Sequence, residues 1–452
     1  MHGRVKLIRR WRRTRLASPA RRLFQCLMVA AVALPTPAWS LDLIQTLELA
    51  RRNDPVFLAA EANYQAETQE VGKARADLLP SLDASAAAAQ NDGSVNGSQK
   101  SYPSSGYDVT LRQTLFNWRQ FATLKQAKAT VRKAAANYAA ARQDLIKRVA
   151  TRYFSVLAAQ DNLELARADR EANGQQLEVA QGRLDVGLGN ITDVHQSRAR
   201  YQLAVANVIA AESTLEDTRQ ALRELIGDLP SDPVSLKKDV VFQLPDPPTI
   251  EPWVEMAQTQ NFSLLAANED VEIAKRELSI QNAGHIPSLD LVGSHSRSDY
   301  QSVTTPGDIN ATDNSIALAL TIPIIQGGRV LRESDQARYR FQASQQTQEA
   351  TRRNVVRNTR NSFLGIKSEA SRVQALEQSV IAAESALDAK RVGFQAGINT
   401  NVEVLDAQRD YFFNQRDLLG ARYSYILNTL NLKEAVGSLN EGDLKNINGW
   451  LQ

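Results

Sequence analysis

The stretch Tyr107-Asp108-Val109-Thr110-Leu111-Arg112-Gln113-Thr114-Leu115 alternates in character almost residue by residue. Tyr107, Val109, Leu111, Gln113 and Leu115 fall on one side of a strand, and Asp108, Thr110, Arg112 and Thr114 on the other, because successive side chains of a strand point to opposite faces. Far down the chain Ile316, Leu318, Leu320, Ile322 and Ile324 alternate with Ala317, Ala319, Thr321 and Pro323. Closer to the start, Leu82, Ala84, Ala86 and Ala88 alternate with Asp83, Ser85, Ala87 and Ala89, and Leu289 and Leu291 open a weaker fourth segment. Strands of roughly ten residues, apolar outward and polar inward, are what barrels of outer membranes are made of. Any one of these segments also fits a small soluble hairpin. Four in matched positions favour the barrel.

The positions match because the chain repeats itself. Pro80-Ser81-Leu82-Asp83 returns 207 residues later as Pro287-Ser288-Leu289-Asp290. Gly187, Asp193-Val194 and Tyr201 correspond, 210 residues on, to Gly397, Glu403-Val404 and Tyr411, and Leu225-Ile226-Gly227 to Ala435-Val436-Gly437. Two repeats, 41–227 and 251–437, are therefore expected, joined by a Pro- and Asp-rich connector, 228–250, and followed by a terminal segment, 438–452. Each repeat opens with a helical run (Leu41 to Leu79; Glu251 to Ile286) that ends at a proline. Two strands follow, separated by a polar loop (Asn91 to Ser105; Ser298 to Asn314). A very long helix, a Gly/Asn break and a last helix complete the repeat. No proline occurs between Pro103 and Pro230 or after Pro323. Asn117 to Asn173 holds neither Gly nor Pro, and Arg329 to Val392 only Gly365. The first of these runs alone predicts about 85 Å of helix at 1.5 Å per residue. Such lengths belong to coiled coils or extended assemblies. The fold class expected is mainly α with a transmembrane β-barrel part, in an internally duplicated chain. Four strands cannot close a barrel, which needs about eight, so copies must combine: a dimer supplies eight strands, a trimer twelve. The competing architecture is a periplasmic antiparallel coiled-coil rod, structural or adaptor-like, with no barrel; it has no use for four alternating segments.

The 452 residues are 43% hydrophobic and 23% charged, with mean hydropathy −0.35 and net charge +3. The ends differ, however. Residues 1–22 carry nine basic side chains, and the first acid is Asp42. An apolar run from Leu23 to Leu34, Pro35, Pro37 and the small residues Ala38 and Ser40 complete a secretory signal over 1–40, with cleavage expected after Ser40. Arg9-Arg10 alone does not make a twin-arginine signal, since Trp11-Arg12-Arg13 follows in place of apolar residues. Without residues 1–40, 44 basic side chains face 50 acidic ones, a net charge of −6, which argues against a nucleic-acid partner. The single cysteine, Cys26, lies inside the signal, so disulfides, thiolate metal sites and a lipid anchor are not expected. No later stretch reaches the roughly 18 apolar residues of a membrane helix. His195, His285 and His295 are the histidines beyond the signal and show no metal-ligand spacing. A Gly-rich phosphate loop and a nucleophile elbow are lacking too. No catalytic residue and no cofactor is expected; the chain does not read as an enzyme.

Gly397-Ile398-Asn399-Thr400-Asn401-Val402-Glu403-Val404-Leu405-Asp406-Ala407-Gln408, with Ala421-Arg422-Tyr423-Ser424-Tyr425 and Leu439-Asn440-Glu441-Gly442-Asp443-Leu444, resembles the TolC-like outer-membrane efflux and secretion channels. Val186-Gly187-Leu188-Gly189-Asn190-Ile191-Thr192-Asp193-Val194 is the counterpart in the first repeat. The resemblance covers essentially the whole chain after residue 40, and its C-terminal piece is nearest the TolC branch, in keeping with the absent lipid cysteine. It implies a homotrimer with a twelve-stranded barrel in outer-membrane lipid and a long periplasmic α-helical barrel tapering to a closed end. The connector and terminal segment become an equatorial belt. Opening by a periplasmic adaptor (membrane fusion) protein and an inner-membrane transporter of ABC or RND type is implied as well. Matched residue by residue, Glu403 and Asp406 fall on ring carboxylates at the tapered end, and Thr192 and Asp193 on the partners of a constraining arginine and tyrosine. This sequence has Asn399 and Phe394 in those last two places, so an Arg–Asp ion pair to Asp193 is unavailable to it and apolar contacts of Phe394 are expected instead. Helix capping is a second explanation of the acids: Thr400-x-x-Glu403 is a capping box, and Asn190 precedes Asp193 by three. Asp406 lies beyond the cap and is the expected pore-facing charge, in a constriction that attracts cations.

Overall fold

A computed structural model of the chain describes residues 41–95, 98–229, 231–237, 240–301 and 307–451. The expected signal, 1–40, and its cleavage point lie outside the described residues. The elements run α1 (Leu43–Asn53), α2 (Pro55–Ala76), β1 (Ser81–Val95), β2 (Ser98–Phe116), α3 (Trp118–Asp185), α4 (Ile191–Ile226), α5 (Glu251–Gln260), α6 (Phe262–Asn282), β3 (Ser288–Gln301), β4 (Asp308–Thr321), α7 (Arg329–Gln395), α8 (Asn401–Ala435) and α9 (Glu441–Asn448). At 68 and 67 residues, α3 and α7 are each about 100 Å long.

Two expectations need correction. The opening helical run of each repeat is two helices, not one. Asp54 leaves the helix because Pro55 follows it, and its carboxylate then accepts from Val56 and Phe57 amides to cap α2. In the second repeat Asn261 does the same, accepting from the Leu264 amide to cap α6. The polar stretches read as loops are largely strand. β1 and β2 stay paired from Ser81↔Arg112 to Val95↔Ser98, and β4 starts at Asp308. Backbone pairing is indifferent to side-chain polarity, and Gln90–Ser101 and Asn91–Ser104 side-chain hydrogen bonds reinforce it. Pro103 is tolerated because pairing of β2 with β3 begins only at Ser104, so the missing N–H faces an unpaired side.

The four strands form one antiparallel sheet in the order β1-β2-β3-β4. In the half of the sheet nearer the helices the register carries the alternation from strand to strand: Leu82, Leu111, Gly293 and Ile316 lie in one row, and Gln113, Leu291 and Leu318 in the next, whereas farther out the same face carries His295, Arg297 and Asn314. Near the helices that face is apolar yet uncovered, with Leu82 68%, Ile316 85% and Leu318 67% exposed. On the other face Ser294 and Ser315 share a hydrogen bond, and Arg112 stands 3.7 Å from Asp290. The outer edges of β1 and β4 pair with no described strand.

The helices continue this order as a single layer. Next to the sheet the neighbours run α2-α3-α6-α7, and beyond the middle they run α4-α3-α8-α7. One lateral edge of the layer is thus β1, α2 and α4; the other is β4 and α7. Midway, α1, α5, α9 and the connector pack on the layer around the main apolar core, in which Tyr153, Phe154, Leu222, Ile226, Ile426 and Leu430 are fully buried. Each such side chain contributes about 1.5–3 kcal/mol by leaving water, so the layer is anchored at its waist. The Tyr153 hydroxyl accepts from the Val234 amide and lies 3.1 Å from the carbonyls of Leu41 and Val234, tying the connector and the first described residue to α3.

Candidate functional site

The ends of the hairpins α3/α4 and α7/α8 lie farthest from the sheet, and their turns are built alike. Gly187 and Gly397 both take φ +78°, open to glycine without strain. The amides after them then reach back to the helix: Leu188 donates to the Arg183 carbonyl and Ile398 to that of Gly393, both at 2.8 Å. The chain re-enters a helix at once. Asn190 accepts from the Thr192 amide to cap α4, and Thr400 with Glu403 forms a capping box on α8.

Every acid singled out in the sequence sits at these tips, but in distinct settings. Glu403 accepts from Lys390 Nζ at 2.8 Å, from the Thr400 amide and from Asn399 Nδ2 at 3.1 Å. Lys390 first, then the Thr400 amide and Asn399, hold its carboxyl down at about 2. Asn399 thus serves Glu403, not Asp193. Thr192 is exposed, while Asp193 is half-buried and its backbone carbonyl accepts from Asn401 Nδ2 at 3.3 Å. Asp406 accepts from Arg200 of α4 at 2.9 Å and lies 3.6 Å from Arg409. Its charge is partly met within its own chain. Phe394 is buried with Leu387 and Val404 in a small apolar cluster at the tip of α7/α8.

The structure adds residues that the sequence reading passed over. Arg183, in the last turn of α3, lays its guanidinium 4.7 Å from the centre of the Phe394 ring and donates from Nη1 to the Phe394 carbonyl at 3.1 Å. Asn401, 1% exposed, donates to Ser197 Oγ at 2.9 Å and accepts from Gln176 at 2.7 Å. Farther from the tip, Gln408 donates to Asp169 at 3.4 Å and Tyr423 to Asp161 at 2.5 Å. All of these contacts cross from one hairpin to the other, so the seam between hairpins carries a line of polar contacts. Burial lifts the carboxyls of Asp169 and Asp161 above their ordinary range, opposed by the hydrogen bonds from Gln408 and Tyr423. The signal was present in the sequence: a buried-phase Asn and Ser on helices otherwise packed by Ala, Val and Leu mark a polar seam. Arg183 reads only as a basic residue complementing a helix C-terminus.

The two lateral edges carry opposite charge at one height. On α7, Arg357 and Arg360 face away from α6 and α8 and bond to no described residue; on α4, neither do Asp217 and Glu224, which face away from α3. Glu224 and Arg360 both stand about 50 Å from their hairpin tips at 1.5 Å per residue.

Among the described residues no helix is long and apolar enough to cross a membrane. Comparison with known proteins gives the family. The chain is 35% identical over 422 residues to outer membrane protein TolC of Vibrio cholerae, covering 93% of this chain and 96% of that one. It is 30% identical to the proteases secretion protein PrtF of Dickeya chrysanthemi, covering 92% of each. The crystal structure of the Campylobacter jejuni CmeC outer membrane channel has the same fold, with a TM-score of 0.78 at 16% identity over 90% of this chain and 89% of that one. The profile of outer membrane efflux proteins matches residues 46–228 and 253–438, and the chain belongs to that family.

Proposed function

We propose that the chain is the outer-membrane exit duct of a tripartite efflux or type I secretion system. The observation that carries this reading is the four-stranded sheet whose uncovered apolar face runs in register across every strand and whose two edges are unpaired. A sheet of that kind is stable only when lipid covers the face and another strand closes each edge. Three copies joined β4 to β1 make twelve strands around a channel, and the helical layers join α7 to α2 above and α7 to α4 below. The opposed charges of Arg357 and Arg360 on one edge and Asp217 and Glu224 on the other support this closure. The repeats 41–227 and 251–437 then form the wall, and segments 228–250 and 438–452 a belt at its waist.

The duct is passive; a periplasmic adaptor and an inner-membrane transporter of ABC or RND type supply the drive. The relative named for protease secretion and the family named for outer membrane efflux support this assignment. The hairpin tips are the periplasmic gate. Thr192, Asp193, Phe394, Asn399, Glu403 and Asp406 line it, with Glu403 and Asp406 repeated by threefold symmetry as an acidic, cation-attracting ring. The seam contacts of Arg183, Asn401 and Arg200 hold the two hairpins together while it is shut.

Mass determination of the purified chain in detergent, combined with single-channel recording in planar bilayers, tests the reading. A trimer giving discrete cation-selective steps is expected. A monomeric or dimeric species without conductance would return the chain to the coiled-coil rod.

A further inference from the structure

At the waist, α8 ends where α6 begins, and the two share the same slot between α3 and α7 without forming a continuous rod. Gly437 makes this handover possible: a Cβ there would stand 2.2 Å from the Gln260 carbonyl oxygen. Asn261 seals the joint by donating to the Ala435 carbonyl at 2.9 Å. The handover leaves a cavity of about 480 Å³ between α3, α6, α7 and α8, within the size range of small-ligand sites.

Its lining is unusual for a helical wall. Asn354, Asn358 and Asn431 offer three amides, and Ser263 and Ser362 two hydroxyls, none bonded to a described residue. The charged groups in the wall, Lys147 and Glu434, neutralise each other through two contacts of 2.8 Å. Phe262 supplies an aromatic surface. The cavity lies within one chain and opens to solvent along Ser263, Asn354 and Asn358, which are exposed: Thr351, Val355, Asn358 and Ser362 share one face of α7, and Arg353, Arg357 and Arg360 lie on the opposite face, at the lateral edge. A neighbouring copy docked on that edge does not fill it.

We propose that this cavity is a binding site for a neutral acetamido sugar. Amide side chains pair with an acetamido group as donor and acceptor at once and with ring hydroxyls in either sense. The apolar face of a pyranose matches Phe262, and a wall whose charges are internally paired selects against ionic ligands. The site stands about 40 Å along α7 from the end of the sheet, well clear of lipid. It depends on neither the gate nor conduction. Two sources carry this chemistry, a free oligosaccharide and an insoluble N-acetylated wall glycan.

The test titrates tri-N-acetylchitotriose into the full-length protein in lauryldimethylamine oxide, since sugar-headed detergents would compete. Saturable binding is expected at millimolar concentration or below, a free energy of about −4 kcal/mol or better. It should weaken at least tenfold in Asn354→Ala/Asn358→Ala and in Asn431→Ala, each checked for unchanged mass. Gln346→Ala, an amide on the opposite face of α7, should leave it intact. Maltotriose, which lacks the acetamido group, should not compete. Cosedimentation with purified wall glycan, lost in the same variants, identifies the polymer as the source; binding of the soluble trisaccharide alone identifies the free sugar. No saturable binding, equal competition by maltotriose, or binding unchanged in both cavity variants overturns the proposal.

Discussion

Replacing Arg183 by alanine probes the seam between the hairpins close to their tips. The guanidinium makes two contacts with one residue, an ionic hydrogen bond to the Phe394 carbonyl and a stacking contact with its ring. A charge-assisted hydrogen bond contributes roughly 1.5–3 kcal/mol, and a partly exposed cation–π contact about 0.5–1 kcal/mol. With Arg183 half-buried, about 2 kcal/mol per chain is the expected loss to the closed arrangement, near a 30-fold shift toward parted hairpins. A gate open one part in a thousand would then open about one part in thirty, if each chain responds alone. The loss falls on the seam: without the Arg183 side chain the Leu188 amide still donates to the carbonyl of residue 183 and the Gly397 amide to that of Phe394, so both turns stay closed. Open probability in planar bilayers is the direct readout. Phe394→Leu keeps the carbonyl and removes the ring, so it should give only about a threefold rise, from the cation–π part. An Arg183→Ala channel with the parent's open probability, or a larger effect from Phe394→Leu, would refute this account of the seam.

Charge complementarity between the lateral edges predicts that Arg360→Glu weakens the trimer and that adding Glu224→Arg restores it. With exposed pairs worth about 0.2–1 kcal/mol and three per assembly, a shift of up to tenfold or so in the detergent-phase dissociation midpoint is expected by sedimentation. Rescue absent in the double variant would mean the edges do not meet there. The carboxyls of Asp161 and Asp169, raised by burial, favour a closed seam in their protonated form. Their stabilisation is full below the ordinary carboxyl range and fades as pH rises through the raised values. Glu403 acts in the opposite sense, contributing above its ordinary range and failing only as pH falls toward about 2. Open probability should therefore climb as pH rises above the ordinary carboxyl range, and Asp169→Asn should flatten the climb; an identical slope in that variant would remove Asp169 from the mechanism.

The long helices and the strands were legible because their signals are periodic and local: α3 and α7 by absence of proline, the sheet by alternation. Register could not be read, yet it is what aligns Leu82, Leu111 and Ile316 on one face. The split at Asp54-Pro55 was hidden by apolar spacing that continues through it, and only the capping carboxylate reveals the stop. At the tips the acids were found but their partners were not. Asp406 meets Arg200, more than 200 residues away, and Asn399 turns back to its own helix start. Pairings of that range depend on how two hairpins lie against each other, which neither propensity nor spacing encodes. The capping box at Thr400 and Glu403 is local, and there the sequence sufficed.

Tyr153 is not the only tie on the folded ends. The amide of Leu41 donates to the Asp232 carbonyl at 3.2 Å and that of Lys237 to the Trp450 carbonyl at 2.9 Å. Both ends of the described chain are thus held by one short piece of connector, the six residues 232–237, whose Cα atoms span at most about 17 Å. Residues 41–451 form nearly a closed circle, with its opening at the waist. A circular permutant that begins at residue 251, runs to 451 and passes through a short linker into 41–250 keeps every hairpin and the connector's ties intact.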